Sequence, residues 1–261
     1  MPLYSEQQGS NQNPTLVFLH GFLGNREDWQ STIEELKNDF HCVTIDLPGH
    51  GRSVSSAVAL ENGFGSCHRL IKFALDTLNI KSFTLIGYSL GGRIALDYAR
   101  TQNDPRLKHL MLESCHVGLD NDQDKKKRYQ FDLHWAERFS TQSIEESLYQ
   151  WYEQPIFDDL SDQQKDATIE KRNHNYGVFL ANMLLSTSLA NQQCSLPFLN
   201  KTTLPISYFY GQKDTKFTGI AALIPQTKNI KTQCFNGLGH NTHQQDPINY
   251  ANNIKHILLD D

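Results

Sequence analysis

Residues Phe83-Thr-Leu-Ile-Gly87-Tyr88-Ser89-Leu90-Gly91-Gly92-Arg93 decide the reading of this chain. An apolar-rich run enters a Gly-x-Ser-x-Gly turn, and helical periodicity follows at once. Strand, sharp turn and helix form the context in which this motif acts as a nucleophile elbow. The turn forces its apex into strained backbone angles. Gly87 and Gly91 flank it because a Cβ at either position would collide with the neighbouring turn. Ser89 is thereby pushed clear of the sheet at a helix N-terminus, where free N–H groups and the helix dipole favour a developing anion.

Working outward, the neighbouring elements alternate strand and helix. Thr15–Leu19 and Leu107–Leu112 are apolar runs of the kind buried on both faces of a parallel sheet. His41–Ile45, Ile206–Tyr210 and Lys231–Phe235 are further strands, and Met1–Glu6 is expected to add a short one. Asp28–Leu36, Cys67–Leu78 and Asp246–Leu259 read as helices, the last with Asp246 as N-cap and Pro247 at the first helical position. Such alternation implies a mostly parallel sheet with right-handed crossovers, flanked by helices. From Val117 to Asn200 the long apolar runs stop. Tyr129–Phe139, Ile144–Tyr152, Asp162–Asn173 and Gly177–Ser188 read as helices. The expected organisation is an α/β core of residues 1–116 and 201–261, with an inserted helical lid at 117–200.

Composition narrows the partners. The 261 residues carry a formal net charge of −5, which suggests neither nucleic acid nor an anionic membrane surface. The lid is not basic either: it holds 8 Lys/Arg against 13 Asp/Glu, so any attraction for anions must come from a few placed groups. Five scattered cysteines at no metal-ligand spacing read as reduced thiols of a cytoplasmic protein. No signal peptide and no membrane-spanning run is apparent. With no phosphate-cradling glycine loop or metal cluster, no cofactor is expected, and the chain is read as a monomer or weak homo-oligomer.

A serine hydroxyl needs a neighbour to take its proton. An imidazole does so near neutral pH, and a carboxylate fixes the imidazole tautomer. Ser89, Asp214 and His240 each follow a strand, so all three fall at one sheet edge, in the order serine, acid, histidine. Glu113 is the rival acid and His243 the rival base. The early His20-Gly21-Phe22 turn offers the Phe22 N–H as one oxyanion donor, and the Leu90 N–H is the second. His20, Asp46 and His50 are read as groups that tie their loops together.

These motifs resemble the α/β-hydrolase superfamily over nearly the whole chain. A narrower set is similar to one of its families: Phe18-Leu-His-Gly-Phe-Leu-Gly, Asp46-Leu-Pro-Gly-His-Gly, Gly87-Tyr-Ser-Leu-Gly-Gly-Arg93, Trp151-Tyr-Glu-Gln-Pro-Ile-Phe and Gly239-His-Asn-Thr-His. That family is 2-succinyl-6-hydroxy-2,4-cyclohexadiene-1-carboxylate synthase of menaquinone biosynthesis. The resemblance implies a carbon–oxygen lyase on a hydrolase fold. It eliminates pyruvate from 2-succinyl-5-enolpyruvyl-6-hydroxy-3-cyclohexene-1-carboxylate, with the triad working as a base. It also implies that Arg93, Tyr88, Arg128, Trp151 and Arg172 bind a small polycarboxylate. Arg93, one helical turn after Ser89, suits that reading, since a fixed fork of charge favours a carboxylate over a neutral ester. Arg128 can equally belong to a solvated basic run with Lys125–Lys127, and Trp151 to the lid's own core. The alternatives are a serine carboxylesterase or thioesterase, a C–C bond hydrolase and, more remotely, a non-catalytic ligand-binding protein.

Overall fold

The computed structural model describes residues 2–56 and 58–259. Seven strands form one sheet in the order β1-β3-β2-β4-β5-β6-β7. They are β1 Ser5–Gln8, β2 Thr15–Leu19, β3 His41–Ile45, β4 Phe83–Tyr88, β5 Leu107–Glu113, β6 Ile206–Gly211 and β7 Ile230–Phe235. Only β1 runs antiparallel, against β3, and the other neighbours pair in parallel. The first strand is shifted relative to the expected Met1–Glu6. It is an edge strand whose polar side chains carry little periodic signal, and Met1 lies outside the described residues.

Successive side chains on the central strands β2 and β4 enter different cores, as the strand period of two requires. Val17, Leu19 and Leu85 join a cluster under α2 (Gly63–Thr77), α3 (Leu90–Thr101) and α9 (Thr215–Leu223). Leu16, Phe18 and Ile86 join another under α1 (Gln30–Leu36) and α11 (Pro247–Leu259). The sheet is thus covered on both faces, the usual state of parallel sheets. Helix α2 begins at Gly63, four residues before the apolar periodicity announces it. The Asn62 side chain caps it by accepting the Gly65 N–H.

Between β5 and β6 lie α4 (Asp122–Thr141), α5 (Ile144–Tyr152), α6 (Asp162–Arg172), α7 (Gly177–Ser186) and the short α8 (Leu196–Leu199). Their starts follow from capping chemistry: Asn121, Ser143 and Ser161 each accept a backbone N–H of the first turn. Trp135, Phe139, Leu148, Tyr152, Ile169 and Leu180 pack into a third cluster that also takes in Leu23. Asn175 fastens these helices to the loop after β2 by donating to the Leu23 carbonyl at 2.9 Å. The register sets Leu19 beside Gly87, Tyr88 beside Glu113 and Gly211 beside Phe235. The carboxyl ends of five strands therefore open toward the inserted helices, where sheets of this kind hold their ligands.

Candidate active site

Ser89 occupies the apex between β4 and α3 with φ 50° and ψ −107°. This left-handed conformation is held from both sides, because Ser89 N–H donates to the Glu113 carbonyl and Arg93 N–H donates to the Ser89 carbonyl, each at 2.9 Å. A Cβ on Gly87 would lie 2.5 Å from the Gly91 carbonyl oxygen, so only glycine allows the turn to close. His240 follows β7 and turns its Nδ1 to Asp214 Oδ2 at 2.6 Å, with both side chains nearly buried. The other Asp214 oxygen accepts the Phe217 N–H at 3.1 Å and so caps α9. The His240 ring packs between Tyr88 and Phe217, at centroid distances of 5.2 and 5.0 Å.

Ser89 and His240 both line a cavity of about 640 Å³ between the sheet edge and the inserted helices. Among the described residues the Ser89 hydroxyl makes no hydrogen bond, so it is uncommitted on the cavity wall. Hydrogen bonds between such partners are often long without substrate and tighten on binding. Phe22 and Leu90 both line the same cavity, and neither backbone N–H is taken by another group among the described residues.

The two rivals from the sequence meet each other instead. Glu113 Oε2 pairs with His243 Nδ1, and its Oε1 accepts from the Thr242 N–H and hydroxyl and from the His243 N–H. Both side chains are fully buried, and neither is part of the cavity wall. His20, His50 and Asp46 tie loops. His20 accepts the Leu47 N–H, His50 accepts the Leu23 N–H, and Asp46 accepts the Arg26 and Arg52 N–H groups. Burial pushes His20 down to about 4 and His50 to about 3, so both imidazoles are neutral spacers.

Arg93, Arg128 and Arg172 all line the cavity. Arg93 is buried, donates to the Thr187 carbonyl at 2.8 Å and has no carboxylate within salt-bridge range among the described residues. Burial, then the charge of Arg128, pushes it down to about 10. Arg128 is half-buried and donates to Asp132 at 2.8 Å, one helical turn on, while Lys125 of the same run pairs outward with Asp122. Arg172 is buried and paired to Asp28 at 2.7 Å. Burial opposes its charge, but Asp28 and Tyr152 overcome that and hold it above the ordinary arginine range. Trp151 serves in two places at once. It packs on Phe22 at 5.1 Å and Trp135 at 4.9 Å, and it forms cavity wall. Tyr88 is wall as well, buried between the rings of His240 and His243.

Sequence reading missed further wall groups: Lys216, Lys171, His116, Asp28 and Asp159. With them, the wall carries five Lys/Arg (Arg93, Arg128, Lys171, Arg172, Lys216) against two acids (Asp28, Asp159), in a chain whose net charge is −5. Two of them had a signal in the sequence: Lys171 adjoins the candidate Arg172, and Lys216 stands two residues past Asp214 in the same loop-to-helix turn. Among the described residues no three His, Cys, Asp or Glu side chains cluster as a metal site. No helix there is long and apolar enough to cross a membrane.

Comparison with known proteins places this geometry. The family model described as alpha/beta hydrolase fold matches residues 14–247. The chain is 40% identical over 248 residues to 2-succinyl-6-hydroxy-2,4-cyclohexadiene-1-carboxylate synthase of Salmonella agona, covering 94% of each protein. It is 39% identical over 253 residues to the Salmonella typhimurium protein of the same name, covering 96% of each. Among solved structures, MenH from S. aureus superposes with a TM-score of 0.90 at 29% identity, covering 98% of both chains. A malate-bound esterase from Thermogutta terrifontis, at TM-score 0.77 and 22% identity, covers 98% of this chain and 92% of its own, and shares the fold. Fold and relatives agree: the chain belongs to the alpha/beta hydrolase fold family and, within it, to the 2-succinyl-6-hydroxy-2,4-cyclohexadiene-1-carboxylate synthases.

Proposed function

We propose that Ser89, His240 and Asp214 form the base that drives the reaction for which the relatives are named. The chain is a carbon–oxygen lyase of menaquinone biosynthesis. It converts 2-succinyl-5-enolpyruvyl-6-hydroxy-3-cyclohexene-1-carboxylate to 2-succinyl-6-hydroxy-2,4-cyclohexadiene-1-carboxylate and pyruvate. His240 takes the Ser89 proton, with Asp214 fixing the ring so that Nε2 is the accepting nitrogen. The Ser89 oxygen removes the ring proton beside the succinyl ketone. The resulting enolate is held by the Phe22 and Leu90 N–H groups, each worth roughly 3 kcal/mol in sites of this kind. The electron pair returns to make the ring C2–C3 bond double, the old C3–C4 double bond moves to C4–C5, and the C5–O bond breaks. The leaving enolpyruvate takes up a proton to become pyruvate. No bond to Ser89 forms at any step.

The observation that supports this reading is the wall itself. Three arginines share one cavity with the serine and histidine, and each carboxylate arm of the substrate requires a cation once water is excluded. We read residues 117–200 as a lid that closes on the core of 1–116 and 201–261, and the protein as a cytoplasmic monomer or weak homo-oligomer. The experiment follows pyruvate release from the enolpyruvyl cyclohexene beside a panel of simple esters. Pyruvate release without acylation of Ser89 supports the lyase. Trapping an acyl-serine during turnover overturns it in favour of an esterase.

A further inference from the structure

We propose that His116 and Lys216 complete, with Arg93 and Arg128, a carboxylate subsite in the cavity wall. This inference rests on the lyase reading above. The four groups come from four separate elements: α3, the segment after β5, α4 and α9. All four are cavity wall. Arg93 and Arg128 are bound into one frame. Arg93 donates to the Thr187 carbonyl, the next residue's hydroxyl (Ser188 Oγ) donates to Asp132 Oδ2 at 2.6 Å, and Asp132 Oδ1 accepts from Arg128. Lys216 lies over the Phe217 ring, which itself packs against His240, so its ammonium stands beside the catalytic edge. Lys216 is exposed and is one of the residues that line the cavity.

His116 accepts the Gly118 N–H on Nδ1 at 3.0 Å, which leaves a neutral ring with its proton on Nε2. Burial, then the charges of Lys216, Arg93 and Arg128, pushes this imidazole to about 4, so it is a neutral donor through the physiological range. Enclosure, and then Arg128, pushes the Lys216 ammonium below its ordinary range, despite the opposing pull of Asp214. The nearby acids are already committed, Asp132 to Arg128 and Ser188, and Asp214 to His240. Donors therefore outnumber acceptors here, and an incoming carboxylate relieves the mutual repulsion of three cations. Arg93 and Lys216 have no carboxylate within salt-bridge range among the described residues, whereas Arg128 is paired with Asp132 and Arg172 with Asp28.

The test uses Lys216→Met, Lys216→Arg and His116→Asn, the last keeping an acceptor for the Gly118 N–H while shortening the donor. Lys216→Met is expected to raise KM for pyruvate release about tenfold with a smaller change in kcat, and Lys216→Arg to recover most of it. His116→Asn is expected to raise KM about fivefold. Succinate binding, followed by calorimetry, should weaken in parallel. If the wild-type enzyme releases pyruvate but neither KM nor succinate affinity moves in these variants, the subsite is wrong. If the wild-type enzyme releases none, the lyase reading itself fails. Circular dichroism of each variant separates loss of binding from loss of fold.

Discussion

Glu113 Oε2 lies 2.7 Å from His243 Nδ1, and the same residue's carbonyl accepts the Ser89 N–H. One residue thus ties the serine turn by its backbone and the histidine loop by its side chain, since Oε1 also accepts the Thr242 and His243 N–H groups. Burial disfavours the charged form of this carboxyl and pushes its pKa up, but the charge of His243 and the hydrogen bonds from His243 and Thr242 overcome that and hold it below the usual range. Glu113→Ala strips a buried partner from His243 and frees the loop that carries His240. It should lower stability by about 3 kcal/mol and reduce kcat more than KM. Urea unfolding and steady-state kinetics on the same variant check both. An unchanged unfolding midpoint would remove Glu113 from this role.

Arg93 and Arg172 should part company when mutated. Arg93 is buried with no carboxylate in range among the described residues, so Arg93→Met relieves desolvation. It should leave stability unchanged or improved by about 1 kcal/mol, while raising KM by roughly 100-fold. Arg172→Met abandons Asp28 in a buried setting and should cost about 3 kcal/mol as well as activity. Thermal melts with parallel kinetics distinguish the two. Equal loss of stability in both would contradict the charge arrangement.

Acid should destabilise the fold from pH 6.5 downward. Burial holds His20 and His68 at about 4 and His50 at about 3, against an ordinary value of 6.5. Between those limits the unfolded chain binds protons that the folded chain refuses, so stability is complete above 6.5 and falls as pH drops. The loss approaches about 1.4 kcal/mol per histidine per pH unit. Asp28 and Glu113, held below their ordinary values, contribute stability that is present above the carboxylate range and is lost only at still lower pH. The melting temperature should fall steadily between pH 6.5 and 5. A flat profile there would mean that these imidazoles are not buried neutral.

The glycine at 91 is a backbone requirement. A Cβ there would sit 2.5 Å from the His20 carbonyl oxygen, and backbone cannot swing aside as a side chain can. Gly91→Ala should therefore disturb the approach of α3 to the loop that carries Phe22, lowering kcat by roughly 100-fold. Kinetics on a variant that still shows native circular dichroism tests this. Near-full turnover would show that the loop relaxes.

What the sequence disclosed divides along a physical line. The buried strands and the amphipathic helices are local patterns, and many appear within a residue or two of their readings, as at Thr15–Leu19 and Ile144–Tyr152, whereas α4 begins at Asp122, seven residues before the apolar spacing at Tyr129–Phe139 marks it. The Ser89, Asp214 and His240 positions follow from strand order, because each lies at a carboxyl end. Pairings across large separations leave no local mark. Arg172 meets Asp28 across 144 positions, and His243 meets Glu113 across 130. Arg128 with Asp132 was open to reading, being spaced one helical turn apart. The start of α2 was obscured by Gly-Phe-Gly-Ser, a poor helix former that Asn62 caps.

The most direct test of the whole account is pyruvate release by wild-type and Ser89→Ala enzyme on the enolpyruvyl cyclohexene, with mass spectrometry of the protein during turnover. The account predicts rapid release by the wild type, a loss of at least about 1000-fold in kcat for a folded Ser89→Ala, and no covalent adduct on Ser89. Near-wild-type release by Ser89→Ala, or an acyl group on Ser89, would contradict it.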